Sequence, residues 1–424
     1  MTRRRPSCFV ICFLVGCFAM VALVGVTRAS AQTETVIHTF QSASKADGSG
    51  PFGGLVADSN GALYGATYYG GKYGQGTVYK LAPPATQGGA WKQNILYSFT
   101  GGADGGEPSG SLLLDSKSHK IYGTTQIGGS ALYYGVVYEL VPPSKPGAPW
   151  TESVLYNFGG SADGGTPYAG VISDSKGTLY GTTLYGGSAS GTGGFGVVFR
   201  LSPPVSGGAW RERVLHTFTG AGDGARPYAG LVSDNIGNMY GTTFLGGASS
   251  MGTVFMLAPP SGGIGPWTES VLYSCSGGWY DCSNPEAGLI FDGTGALYGT
   301  TVYGGGYGDV FELAPPTTQG GAWTESELYF FTGGSDGSYP KASVIFDSAG
   351  AIYGTTSIGG ADNYGTAFKI TPPALWTEQV LVYFGPGSVG ANPFAPLILS
   401  GQNFYGTTVD GGSANAGVVF EITP

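Results

Sequence analysis

The chain has 424 residues, of which 79 are Gly and 26 are Pro, about a quarter of the total and close to the composition of low-complexity segments. Hydrophobic residues at 42% and aromatics at 13%, against 11% charged, exclude a disordered chain, because there is ample apolar surface to offset chain entropy. A formal net charge of -9 excludes a basic nucleic-acid binder, which would need clustered Lys and Arg to meet phosphates.

In chain order, residues 1–31 read as a signal peptide: Arg3, Arg4 and Arg5, an apolar run from Cys8 to Val26, and Ala29-Ser30-Ala31 as a small-x-small cleavage site. Two alternatives stay open, an uncleaved membrane anchor and a lipobox-like Leu14-Val15-Gly16-Cys17. Losing four Arg takes the mature charge from -9 to -13, so the expected product is acidic, exported (extracellular or periplasmic) and without a membrane span. Cys8, Cys12 and Cys17 leave with the signal. Export then favours a disulfide between the two that remain, Cys275 and Cys282, and so small a ring contributes about 2.5 kcal/mol at most.

From residue 32 onward the chain repeats. A Tyr-Gly pair recurs at Tyr64, Tyr122, Tyr180, Tyr240, Tyr298, Tyr353 and Tyr405, and each unit carries four short apolar segments. In the third they are PYAGVISD (167–174), TLYGTT (178–183), GVVFRL (196–201) and WRERVLHTF (210–218). Rich in Val, Leu, Tyr, Phe and Thr and bounded by Gly, Asp-Ser and Pro-Pro, all four read as strands, and no stretch has a helical period. The expectation is an all-β, seven-bladed β-propeller of four-stranded blades spanning 32–424, with a β-solenoid as the rival. The chain starts on a fourth strand, QTETVIHTF (32–40), and stops after a third, GVVFEITP (417–424). The N-terminal strand is therefore expected to complete the last blade and close the ring.

The repeated Trp, the Tyr of Tyr-Gly-Thr-Thr and the third-strand Phe or Tyr read as packing between blades, and the hairpin Asp residues such as Asp174 as turn formers. The fourth-to-first and second-to-third loops must share one face. The former carry Asp47, Asp104, Asp163, Asp223, Asp281 and Asp336, each four places before a strand-opening Pro, with Val389 breaking the series. These read as Asx-type turns or as a cation site; calcium would need carboxylates from several blades, and no other cofactor is expected. After the same Pro come Phe52, Ser109, Tyr168, Tyr228, Glu286, Lys341 and Phe394, and the second-to-third loops add Tyr69, Tyr185, Phe244 and Tyr303. The aromatics among them form either a binding rim, suited to stacking on sugar rings or peptide groups, or a self-packed plug. Glu107, Arg226, Glu286 and Lys341 break the sevenfold pattern near the axis and are the catalytic candidates, with Glu107 and Glu286 as a glycosidase-like pair set three blades apart. His38, His119 and His216 are dispersed and make no zinc site.

The repeat P-x-A-G-L-V-x-D, G-x-L-Y-G-T-T-x-x-G-G and G-T-V-F-x-L-x-P-P resembles the GloVer tandem repeat of secreted bacterial proteins over essentially the whole mature chain. The resemblance implies an exported repeat protein, often held at the cell surface by a C-terminal anchor; no sorting signal or hydrophobic tail precedes Pro424, so anchoring by that route is not expected. It carries no activity and no functional residues. The resulting expectation is a monomeric, non-catalytic module that binds a glycan or protein, and the alternative is an extracellular carbohydrate-active hydrolase or lyase working at the central mouth.

Overall fold

The computed structural model describes residues 33–423 except 43–45, 87, 131–132, 146, 189–192, 264, 319, 373–375 and 388, so the signal-peptide reading lies outside the described residues. The strands form seven separate four-stranded antiparallel sheets, the blades of a propeller. Six are continuous in sequence; blade 3, for example, comprises Ile172–Ser173, Leu179–Thr183, Val197–Ser202 and Arg211–Thr217. The seventh is completed by the N-terminal strand Thr33–Thr39, which pairs antiparallel with Val418–Thr423 from Thr33↔Thr423 to Thr39↔Val418. The ring thus closes as its terminal segments imply, and separate blades exclude the solenoid.

The innermost strands are shorter than their apolar segments suggest. In blade 3 only Ile172 and Ser173 pair with the second strand. The stretch before them runs backbone to backbone against its neighbour: a Cβ on Gly170 would stand 2.0 Å from the Ser111 carbonyl oxygen of blade 2. Crowding at the axis therefore turns these segments towards adjacent blades rather than their own sheet. The first Thr of Tyr-Gly-Thr-Thr makes the same lateral connection. Its hydroxyl donates to an inner carbonyl of the next blade, as in Thr124 to Ala169 at 2.8 Å, Thr182 to Ala229 at 2.8 Å and Thr242 to Ala287 at 2.9 Å. Blade 1 carries Ala66 there, and the Thr407 hydroxyl of blade 7 is buried with no partner, so this latch is missing on both sides of blade 1.

Aromatic contacts seal the interfaces further out. The Phe ending an outer strand, present in every blade but the fourth, where Cys275 stands, meets the third-strand aromatic of the next blade: Phe158 with Phe199 at 5.1 Å, Phe218 with Phe255 at 5.2 Å, Phe331 with Phe368 at 5.1 Å. Trp210, Trp267 and Trp323 pack on Tyr122, Tyr180 and Tyr240 of the preceding blade. The hairpin Asp closes its turn and accepts the hydroxyl of the repeated Tyr, as in Tyr180 to Asp174 at 3.2 Å. These residues are structural.

One polar position recurs beside these contacts. In blade 1 the Gln93 amide donates to the Asp47 carbonyl at 3.0 Å. At the equivalent place Glu34, Glu152, Glu212, Glu269 and Glu378 each keep one buried oxygen without a partner. Desolvation pushes all five up to about 7, with a loop Asp adding to it in the last four. Only on protonation would such a Glu carry the donor that Gln93 carries permanently. In the unfolded chain these carboxyls ionise near 4.5, so their stabilisation is complete below that pH and is lost as pH rises towards 7. His38 works in the opposite sense. Burial lowers it to about 4, so stability is lost as pH falls from 6.5 to 4. Thermal melts between pH 4 and 9 are expected to peak on the acid side of neutrality, near pH ~5. Glu152→Gln is expected to raise Tm at pH 8 and to leave it nearly unchanged at pH 5; equal shifts at both would contradict protonation.

Candidate functional site

Bridges such as Ser49↔Tyr69, Gly165↔Tyr185 and Ala225↔Leu245 join the fourth-to-first loops to the second-to-third loops, so both occupy one face. At its centre a cavity of about 350 Å³ is lined by Phe52, Ser109, Tyr168, Tyr228, Glu286, Lys341 and Phe394, one from every blade, above the inner-strand glycines. Neighbours around this collar touch. Phe394 lies 5.6 Å from Phe52, Tyr168 lies 5.2 Å from Tyr228, the Lys341 ammonium stands 4.8 Å over the Phe394 ring, and Glu286 and Lys341 form an ion pair at 3.6 Å. Burial pushes the Glu286 carboxyl up and Lys341 pulls it back down. All but the buried Ser109 are half-buried, each packing on the next while still bordering the cavity.

A second ring, which the sequence reading missed as a set, surrounds the first. The residue before each strand-opening Pro lies in the left-handed region in all seven blades: Gly50 (φ 61), Glu107 (57), Thr166 (56), Arg226 (55), Asn284 (56), Tyr339 (55) and Asn392 (56). A residue preceding Pro normally goes to extended backbone, and a non-Gly residue at positive φ costs about 1–3 kcal/mol. Two hydrogen bonds hold it there. The Thr166 N–H donates to the Tyr134 carbonyl of the previous blade at 2.8 Å and its carbonyl accepts from Leu184 N–H at 3.1 Å; Arg226 does the same with Phe195 and Phe244 at 2.8 and 3.1 Å. The signal available in sequence was the position before each Pro, where seven blades carry six residue types.

The catalytic candidates fall in different rings. Glu107 and Arg226 belong to the outer ring: Glu107 accepts the Tyr68 hydroxyl at 2.6 Å, and Arg226 stands 5.7 Å from the centre of the Tyr185 ring. Glu286 and Lys341 belong to the collar. Among the described residues no hydrogen bond or ion pair joins one pair to the other. Of the rim aromatics, Tyr69, Tyr185 and Tyr303 are exposed, whereas Phe244 packs on Tyr228 at 5.4 Å. Tyr185 and Arg226 also line a cup of about 400 Å³ with Tyr133, Tyr134 and Phe195, three aromatics the sequence did not single out.

The loop Asp residues turn outward. Asp104, Asp163, Asp281 and Asp336 accept the hydroxyls of Tyr97, Tyr156, Tyr273 and Tyr329 on the outer strands, at 3.0, 3.1, 2.8 and 3.1 Å, and Asp223 meets His216 at 3.3 Å. Each also accepts a backbone N–H near the end of that strand, as Asp163 does from Gly159 at 2.7 Å, and Asp47 accepts from Gln41 N–H at 3.0 Å. Where Val389 breaks the series, Val382 replaces the Tyr. Aspartate and outer-strand partner are lost together, as expected of a structural pair. Cys275 and Cys282 are joined in a disulfide across the loop that carries Asp281.

No curated protein matches the chain. Among solved structures, a putative 6-phosphogluconolactonase from Bacteroides uniformis is similar at 16% identity and TM-score 0.52, covering 83% of this chain and 88% of that one. A putative oxidoreductase (glucose dehydrogenase) from Thermus thermophilus is similar at 15% identity and TM-score 0.45, over 82% of this chain and 99% of that one. At such identities the first likeness shows the propeller fold alone, and the second carries no argument. The family model of the Gloeobacter/Verrucomicrobia repeat matches residues 21–209 and 188–420, and the chain belongs to that repeat family.

Proposed function

We propose that the protein is an exported, non-catalytic binding module that takes a glycan at the axial mouth and the two rings around it. One observation carries the reading: the residues that differ from blade to blade gather on both sides of each strand-opening Pro. Blade-forming positions meanwhile repeat closely. Holding Thr166, Arg226 and Tyr339 at positive φ where glycine would sit without strain keeps varied side chains on one face at an energetic cost, as ligand sites do. Tyr, Phe, Glu, Lys and Arg in and around the cavity offer ring faces and hydrogen-bonding groups of both signs, which is what sugars use. Export rests on the signal-like residues 1–31 and the Cys275–Cys282 disulfide. Among the described residues no helix is long and apolar enough to cross a membrane.

A hydrolase or lyase at the mouth is the second reading. The half-buried Glu286 beside Lys341 favours it, since both line the cavity and the carboxyl is raised. Glu286→Gln separates the two: a binding module retains its ligand with modest loss, whereas an enzyme loses turnover of that ligand.

On a glycan array, Tyr168→Ala and Tyr228→Ala are expected to weaken binding by about tenfold or more, the scale of losing one stacked aromatic anchor. Unchanged binding by both folded variants would remove the mouth as the site. Thr166→Gly is expected to stabilise the fold by about 1 kcal/mol in denaturant titration, because it relieves the left-handed strain.

A further inference from the structure

On the face away from the mouth, the first-to-second and third-to-fourth loops of blades 3 and 4 border a cleft of about 560 Å³, larger than the axial cavity. Three cations line it: Lys176 on the hairpin of blade 3, Arg200 on its third strand and Arg213 on its outer strand. Removing the four Arg of residues 1–31 leaves 14 Lys and Arg (18 minus 4), an average of two per blade, and the stretch 167–218 holds four of them. The ladder sets two of these four face to face. Arg200 pairs directly with Arg213, so both guanidinium groups leave the same side of the sheet. At the equivalent rung the other blades have Lys80↔Asn94, Glu139↔Ser153, Met256↔Ser270, Glu312↔Ser326, Lys369↔Gln379 and Glu421↔Thr35, never two charges.

Like charges directly opposite one another destabilise a sheet, so this rung is kept at a cost that an anion between the two side chains would remove. Among the described residues no Asp or Glu forms an ion pair with Lys176, Arg200 or Arg213. At the position of Arg200, by contrast, Lys80 pairs with Asp58 at 3.4 Å in blade 1 and Glu139 with Lys120 at 2.8 Å in blade 2. Asp174 and Asp234 also border the cleft, but their own hairpins claim them: Asp174 accepts the N–H groups of Lys176 and Thr178 and the Tyr180 hydroxyl, and Asp234 accepts from Asn238 and the Tyr240 hydroxyl. On the cationic side, one Nη of Arg213 donates to the Gly265 carbonyl at 3.0 Å, Arg200 meets the Tyr180 hydroxyl, and the buried Nε of Arg200 has no partner. Ser173 and Ser233 add hydroxyls to the lining. Two guanidinium forks and an ammonium carry more charge and more donors than the two oxygens of one carboxylate can meet, whereas a phosphate dianion has three oxygens and the charge to match.

We propose that the cleft between blades 3 and 4 binds a phosphate group, clamped by Arg200 and Arg213 with Lys176 at its edge. The site is separate from the mouth and does not depend on the function assigned there. The test is calorimetric titration of the full mature chain in low salt at about pH 7.5, where phosphate is mostly a dianion, with inorganic phosphate and with glycerol 3-phosphate as the probes. One equivalent is expected to bind; equal affinities assign the free ion, and a tighter glycerol 3-phosphate assigns a phosphate monoester. Acetate bound as tightly as either probe overturns the assignment to phosphate. The double variant Arg200→Met with Arg213→Ser reproduces the Met256↔Ser270 rung of blade 4, so it is expected to fold, to keep its Tm in phosphate-free buffer and to bind phosphate about 100-fold more weakly. Phosphate is expected to raise the Tm of the native chain and not that of the variant. If the double variant does not fold, Arg213→Ser alone, at an exposed position, is expected to weaken binding about tenfold. No saturable binding of either probe by the native chain, or unchanged affinity in the folded variants, overturns the proposal.

Discussion

Pairing of Thr33–Thr39 with Val418–Thr423 is the constraint on which the rest depends. An open array of seven blades would leave its last sheet short of a strand, with the unpaired N–H and C=O groups of Val418–Thr423 presented to solvent. Closure fixes the angle between neighbouring blades. The axial cavity takes one side chain from each blade, so it exists only while that angle is held all the way round. Interface aromatics and threonine latches add stability, but each acts between two neighbours; the terminal strand alone turns a row into a wheel.

Within that wheel the residues divide by position. Side chains that point between blades repeat, because each interface asks for the same shapes: Phe199, Phe255 and Phe368 are all fully buried in equivalent places. Side chains on either side of the strand-opening Pro are released from that demand. The backbone there is held by hydrogen bonds from two neighbouring loops rather than by the side chain, so Gly50, Thr166, Arg226 and Tyr339 all fit one conformation. A scaffold that fixes its main chain and leaves the side chain free can change what it recognises without changing its fold.

The blade count, ring closure, hairpin turns and interblade aromatics were legible in sequence because each follows from a local rule repeated seven times. The collar was legible for the same reason. Orientation was not. Spacing placed the loop Asp residues on the mouth face but did not say whether they look towards the axis or towards the outer strands, where Tyr97 and Tyr156 claim them. The joint loss at Val382 and Val389 was the available clue. The pre-proline ring was hidden by a rule that holds in isolated chains and yields here to tertiary hydrogen bonding.

Thr33 sits opposite Thr423, so both ends of the wheel leave from the same corner of one sheet. Tension applied across the termini would load the closing ladder one rung at a time, like a zip drawn from its tab, rather than all six rungs in shear. The tab lies on blade 7, whose Thr407 hydroxyl lacks the lateral bond its counterparts make. A tether through a single end leaves that ladder unstrained. Mechanically, a pull on both ends undoes the ring, whereas a pull on one does not.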